Sequence, residues 1–257
     1  LEIELKNGRT VCIVSDGSWK YSPSSITFNS IYGGEDEDAR ITPSWKLVVI
    51  QKGPRGVLRQ QIAQPVKMME YFGVKSRHQL TPQQIAKASN AKHPIPAGTF
   101  VLDMGQNLAG FPQIKVSGKA GQQVRLYLSE TLTAQGTCNQ KQSGSPYYLN
   151  YTLSGKGEKA SDGKRIETWH PHFTYYGYRY IQVEGAVMKG DENPDGKPVI
   201  EDIQSCFVYN SAAKIGSFEC SNPMFNRAYQ IIDRAIRSNW QAVWTDCPHR
   251  EKLGWLE

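Results

Sequence analysis

The run Thr245-Asp246-Cys247-Pro248-His249-Arg250-Glu251-Lys252-Leu253-Gly254-Trp255-Leu256-Glu257 packs two acids, a guanidinium, an imidazole and an indole into the ten residues from Asp246 to Trp255. Such a set can work on a sugar. A carboxyl can hand its proton to a departing oxygen, a carboxylate and a guanidinium can bind hydroxyls, and an aromatic face can cover the apolar side of a ring. On an unbroken helix Asp246 and Glu251 would stand roughly 140° apart and could not reach one ligand. Pro248 breaks the helix, so a bent loop is needed to bring them together. The plainer reading is a polar loop at a helix end with no chemistry of its own.

The element that delivers this loop is a helix over residues 222–244. Ser221 or Asn222 caps it and Pro223 sits in its first turn, where a missing N–H costs nothing. Phe225, Tyr229, Ile232, Ile236, Trp240 and Val243 form an apolar stripe opposite Arg227, Gln230, Asp233, Arg234, Arg237 and Gln241. That stripe predicts packing on the preceding domain or on another copy, because left bare it exceeds what a monomer usually exposes.

Before the helix the chain reads as β structure. Val124, Leu126 and Leu128 alternate with Arg125, Tyr127 and Ser129, and Tyr147, Leu149, Tyr151 and Leu153 keep the same period of two. Arg179, Ile181 and Val183 alternate with Tyr178, Tyr180 and Gln182. Glycines punctuate these segments at turn positions, and a stretch from Arg77 to Gly98 reads as a loop or short helix. The expected class is mainly β, an antiparallel concanavalin-like or jelly-roll-like sandwich followed by a linker helix. Leu1 to Val14 predicts two short strands around Asn7 and Gly8. The expected divisions are residues 1–45, the end of an upstream sandwich; 46–215, a central sandwich; and 216–257, the helix and the start of a further domain.

The 257 residues carry 30 Lys and Arg against 24 Asp and Glu, and the excess of +6 is scattered, which suits a solvated surface better than nucleic-acid binding. Mean hydropathy is −0.52 and no apolar run approaches a membrane span. Five cysteines without a C-x-x-C pair suggest neither zinc nor a disulfide framework. The start at Leu1, already in a strand pattern, reads as a cut from something longer, so a missing signal peptide says nothing about export.

The run from Asp246 to Trp255 resembles the signature of bacterial α-L-rhamnosidases. Asp103-Met104-Gly105-Gln106-Asn107-Leu108-Ala109-Gly110 and Phe173-Thr174-Tyr175-Tyr176-Gly177-Tyr178-Arg179-Tyr180 resemble sandwich motifs of that family. Glu35-Asp36-Glu37-Asp38-Ala39-Arg40 is close to its Glu-x-Tyr-Asp-Ala-Arg pattern, with Glu37 in place of the Tyr, and Gly216-Ser217-Phe218 precedes the helix as in the family. The motifs occur in family order.

The resemblance implies an inverting hydrolase of terminal α-L-rhamnosyl groups whose sandwich leads into an (α/α)6 barrel. It assigns Glu251 as general acid and places Asp246, Arg250 and Trp255 on the rhamnose. The general base and one further Asp fall beyond residue 257, and Glu257 does not align with that Asp. The chain alone is thus expected to be an inactive piece, with Glu251 on a mobile, solvated tail.

A rhamnose-containing glycoside or polysaccharide is the implied partner, with neither nucleic acid nor membrane, and a periplasmic or extracellular location is favoured over the cytoplasm. No cofactor or metal is expected in the catalytic part; calcium is conceivable for an upstream sandwich, whose acidic stretch would be Glu35 to Asp38. His170 and His172 read as a polar pair on one strand face with no third ligand nearby. The competing class is a non-catalytic carbohydrate-binding or scaffold sandwich, whose stacking aromatics would be Tyr147, Tyr148, Trp169, Tyr175 and Tyr176, although strand aromatics usually serve packing.

Overall fold

A computed structural model describes residues 1–53, 56–57, 59–144 and 147–255; Leu256 and Glu257 lie outside the described residues. The chain forms two compact units, one of residues 1–25 and 41–60, the other of residues 26–40 and 61–257. In the first, β1 (Glu2–Glu4) and β2 (Thr10–Cys12) pair across the expected Asn7-Gly8 turn, and β3 (Lys20–Tyr21) pairs with a return strand; between those two the chain leaves for the other unit as β4 (Ile26–Ser30) and β5 (Gly34–Asp38), and the return strand is β6 (Lys46–Leu47).

The larger unit is mainly β, as the alternation requires. After β7 (Val66–Gly73) and β8 (Ser76–Gln79) comes the two-turn helix α1 (Pro82–Ala88), closed at its start by a Thr81–Gln84 capping box. The longest strand, β9 (Phe100–Ser117), is followed by β10 (Gln123–Ser129), β11 (Tyr148–Thr152), β12 (Glu158–Lys159), β13 (Arg165–Trp169), β14 (Tyr176–Glu184), β15 (Val187–Met188) and β16 (Val199–Asn210). They share one hydrogen-bonded network in which β9 pairs with β8, β13, β14 and β16. Pairing is antiparallel except between β11 and β5 and between β15 and β16.

The predicted alternation on β10 and β11 holds: Val124, Leu126, Leu128 and Leu149 are wholly buried in one core with Phe100, Leu102, Ile114, Tyr178, Ile181 and Phe207. On β14 it breaks. A register shift between Tyr178 and Tyr180 puts Tyr178 into the core beside Ile181 and turns Arg179 outward, where it grips Asp103 through two hydrogen bonds of 2.7 and 2.8 Å. Two sequence motifs thereby become one object. Gly110 in the first of them has to be glycine, because a Cβ there would fall 1.8 Å from the Cys206 carbonyl oxygen on β16.

Three of the five aromatics that suited a binding module are core. Tyr147, Trp169 and Tyr176 are at most 3% exposed, Tyr147 stacking on Tyr176 at 3.7 Å and Trp169 on Tyr151 at 5.1 Å. The final helix, α2 (Pro223–Asn239), starts as expected with Asn222 capping Met224, but ends a turn early, where Trp240 and Trp244 stack across a tight bridge. Its docking face is the opposite of the one expected. Arg234 and Arg237 reach Glu70 on β7, Arg234 covers Phe72 and Phe207, and Phe225, Ile231 and Ile232 remain more than half exposed. Guanidinium groups can do this because their planar faces pack on aromatics while their edges bond a carboxylate.

Candidate functional site

The loop after α2 is folded back on the sheet, held at several points, and is not a loose tail. Asn210 at the end of β16 bonds the Trp240 and Gln241 carbonyls, which fixes where the helix stops. Asp246 closes the loop by giving its N–H to the Leu253 carbonyl (2.8 Å) and accepting the Leu253 N–H on Oδ1 (3.0 Å). Midway, the Pro248 carbonyl accepts the Gly177 N–H at 2.8 Å. Gly177 sits in the second sandwich motif, and its missing side chain is what admits the loop: a Cβ there would lie 2.8 Å from Pro248 Cγ. His249 faces Glu130 at 3.7 Å, and Glu130 also accepts from Asn107 of the first motif.

This bend brings together the residues singled out in the sequence. Ligand-type atoms of Asp246, Cys247 and Glu251 all lie within 4.8 Å of one another, the Cys247 thiol donating toward both carboxyls. Arg250 Nη2 is 2.5 Å from Glu251 Oε1. Burial by itself would raise the Asp246 carboxyl, but hydrogen bonds from Glu251, from the Leu253 and Cys247 N–H groups and from the Cys247 thiol outweigh it and hold it at about 2. Asp246 is therefore the permanently ionised member. Trp255 stands 65% exposed at the end of the loop, its ring free to meet a ligand.

Lys252 has no sequence signal, yet it anchors the whole arrangement. It is 6% exposed with a left-handed φ of 56°, donates from Nζ to the Ile31 carbonyl and lies 3.7 Å above the Tyr176 ring. The neighbouring Tyr32 hydroxyl bonds the Glu251 carbonyl at 3.0 Å. Burial pulls the Lys252 ammonium down from 10.5 to about 7, against a smaller opposing pull from Cys247. Between those two values the unfolded chain binds a proton that the folded chain lacks, so stability attributable to Lys252 rises with pH across the window. Relative to Lys252→Met, the protein should gain at most about 1.4 kcal/mol per pH unit between pH 7 and 10.5. Urea midpoints of the two at pH 6 and pH 9 measure this, and an unchanging difference would count against a strained ammonium.

The histidine pair departs from expectation. His170 and His172 follow β13 in an irregular turn, off any strand, and His172 Nδ1 lies 3.4 Å from Glu35 and 3.8 Å from Glu37. Glu35, fully buried, accepts the His172 and Phe173 N–H groups at 2.9 to 3.0 Å, and Glu37 accepts Trp169 Nε1 at 2.7 Å. The acidic run therefore holds a turn. Alternation along β5 sends Glu35 and Glu37 to that turn and leaves Asp38 to pair with Arg40, so the four acids do not converge as a calcium loop would need. Glu35, Glu37 and His172 are nonetheless three ligand-type groups within 4.8 Å, a closeness the sequence alone does not show.

The mainly β unit that braces this acid-bearing loop has clear counterparts among known proteins. Three family descriptions match in chain order: the α-L-rhamnosidase N-terminal domain over residues 1–70, the bacterial α-L-rhamnosidase concanavalin-like domain over 93–209, and the bacterial α-L-rhamnosidase six-hairpin glycosidase domain over 213–257. The chain belongs to the bacterial α-L-rhamnosidase family. It is 29% identical to an α-L-rhamnosidase of Formosa agariphila over all of this chain and 25% of that protein, and 32% identical to one of Streptomyces avermitilis over 99% of this chain and 23% of that protein. Among solved structures, the Dictyoglumus thermophilum enzyme superimposes with a TM-score of 0.76 at 28% identity, covering 99% of this chain and 27% of that one. The S. avermitilis enzyme complexed with L-rhamnose gives 0.73 at 28% identity, over 99% and 23%. The chain thus spans about a quarter of the length of these relatives.

Proposed function

We propose that the full-length protein hydrolyses terminal α-L-rhamnosyl residues from a rhamnose-containing glycoside or polysaccharide with inversion, Glu251 protonating the departing oxygen while Asp246, Arg250 and Trp255 hold the sugar. The observation that carries this is the bend after Pro248, which brings the carboxyls of Asp246 and Glu251 within 4.8 Å of each other and sets Arg250 against Glu251. Arg250, paired with Glu251 at 2.5 Å, is placed to bind sugar hydroxyls next to the acid. Asp246 cannot be the general base: within 4.8 Å of Glu251 it is closer than the roughly 6.5 to 9.5 Å that inversion needs to fit a water.

In this reading residues 1–45 end an upstream sandwich, 46–215 brace the catalytic domain, 216–257 begin it, and the base comes from beyond residue 257. A polymeric substrate suits a periplasmic or extracellular site of action. Full-length protein given an aryl α-L-rhamnoside should release β-L-rhamnose first, visible by proton NMR, and the 257-residue chain alone should release none. Release of the α anomer would reject inversion, and turnover by the chain alone would reject the external base.

A further inference from the structure

The side chains that point away from the core on β10, β11 and β14 build a second, polar face. Arg125 stands opposite Glu184 on one neighbour and Asn150 on the other, and Tyr127 stands opposite Gln182. Loops 89–96 and 133–144 roof this face and leave a cavity of about 940 Å³, within the roughly 300 to 1,000 Å³ of ordinary ligand sites. Glu184, only 5% exposed, accepts His93 Nε2 at 3.1 Å and Gln182 Nε2 at 2.8 Å on the same oxygen. Its second oxygen has no hydrogen-bond partner among the described residues. Arg125 sits over the Tyr148 ring, its Cζ 4.4 Å from the ring centre, a contact that helps place its fork at the cavity wall.

Fastening loop 89–96 needs only His93 and one oxygen of Glu184. It leaves the second oxygen of Glu184, a residue of the cavity wall, available to accept from a ligand. A hydroxyl can donate one hydrogen bond and accept two, so vicinal hydroxyls fit a wall that alternates a carboxylate, an amide and a guanidinium, with an aromatic alongside. The cavity is also in touch with the catalytic motif. Gly144 on its wall lies against Arg250, whose Cγ would be 3.6 Å from a Cβ at that glycine.

We propose that this cavity binds a pyranose unit of a saccharide chain, Arg125 and Glu184 sharing its vicinal hydroxyls, on the leaving-group side of the bond that Glu251 protonates. Its position relative to the bond rests on the function proposed above; the saccharide binding does not.

The test uses full-length protein carrying Glu251→Gln, so that nothing is turned over, on an array of neutral and uronate-containing oligosaccharides of three to six units, each with and without a terminal α-L-rhamnose. At least one oligosaccharide lacking rhamnose should be retained, and its dissociation constant should rise tenfold or more with Arg125→Ala and with Glu184→Gln, the second being nearly isosteric. Melting curves confirm that both variants fold. No retention of any rhamnose-free oligosaccharide overturns the proposal, as does retention that neither variant weakens. A parallel assay of unsubstituted protein on an aryl α-L-rhamnoside separates the two claims, since failure there with binding intact would remove the catalytic reading and leave the saccharide site.

Discussion

Glu251→Gln in the full-length protein should lower kcat on a rhamnosyl oligosaccharide by roughly 100- to 10,000-fold, the range that a positioned general acid supplies. Glutamine keeps the size of the side chain and its contact with Arg250, but it has no proton to give at neutral pH. The loss should shrink on aryl rhamnosides whose leaving groups need little protonation, so that the ratio between poor and good leaving groups widens in the variant. An equal loss on every substrate would assign Glu251 to sugar binding instead. Near-normal turnover of the poor substrates would remove it from the reaction. Asp246→Asn, which removes the carboxylate lying within 4.8 Å of Glu251, should alter the pH dependence of kcat even though Asp246 transfers no proton.

The second large effect should come from a residue that makes no contact with substrate. Gly177→Ala places a methyl group 2.8 Å from Pro248 Cγ and 3.0 Å from Glu130 Oε1, in the space where the loop carrying Asp246 and Glu251 rests on the sheet. The loop is the part able to give, because β14 is locked between β9 and β10. A displacement on the order of 1 Å at Pro248 carries to Glu251 three residues on, and misplacement of that size can cost roughly 100-fold in rate. The expected result is a large fall in kcat with a melting temperature close to that of the parent. A variant that keeps full kcat would show that the loop takes its position from elsewhere; one that fails to fold would show that the glycine serves the sheet and not the loop. Replacing Gly177 by serine, with its still larger side chain, should be worse than alanine if the loop is what yields.

What could be read from the sequence is what depends on neighbours in the chain. Alternating Val124, Leu126 and Leu128 bury one face because strand geometry alone sends them the same way, and Asn222-Pro223 start a helix because capping is a matter of adjacent groups. The Asp246 to Trp255 run pointed to its chemistry through residue types alone, and Pro248 already required the bend that brings Asp246 and Glu251 together. Whatever depends on distant partners was out of reach. Lys252 reads as one more surface lysine until the Tyr176 ring, 76 positions away, closes over it. The Tyr178–Tyr180 bulge, which decides whether Arg179 or Tyr178 enters the core, is a property of registry with β9 and leaves no periodic trace in β14. The docking face of α2 was misjudged for the same reason: its apolar stripe is local information, whereas the Glu70, Phe72 and Phe207 that capture its arginines come from β7 and β16. A side chain's type is written in one position, but its environment is set by the packing of strands far apart in sequence, and burial, pairing and proton affinity follow the environment.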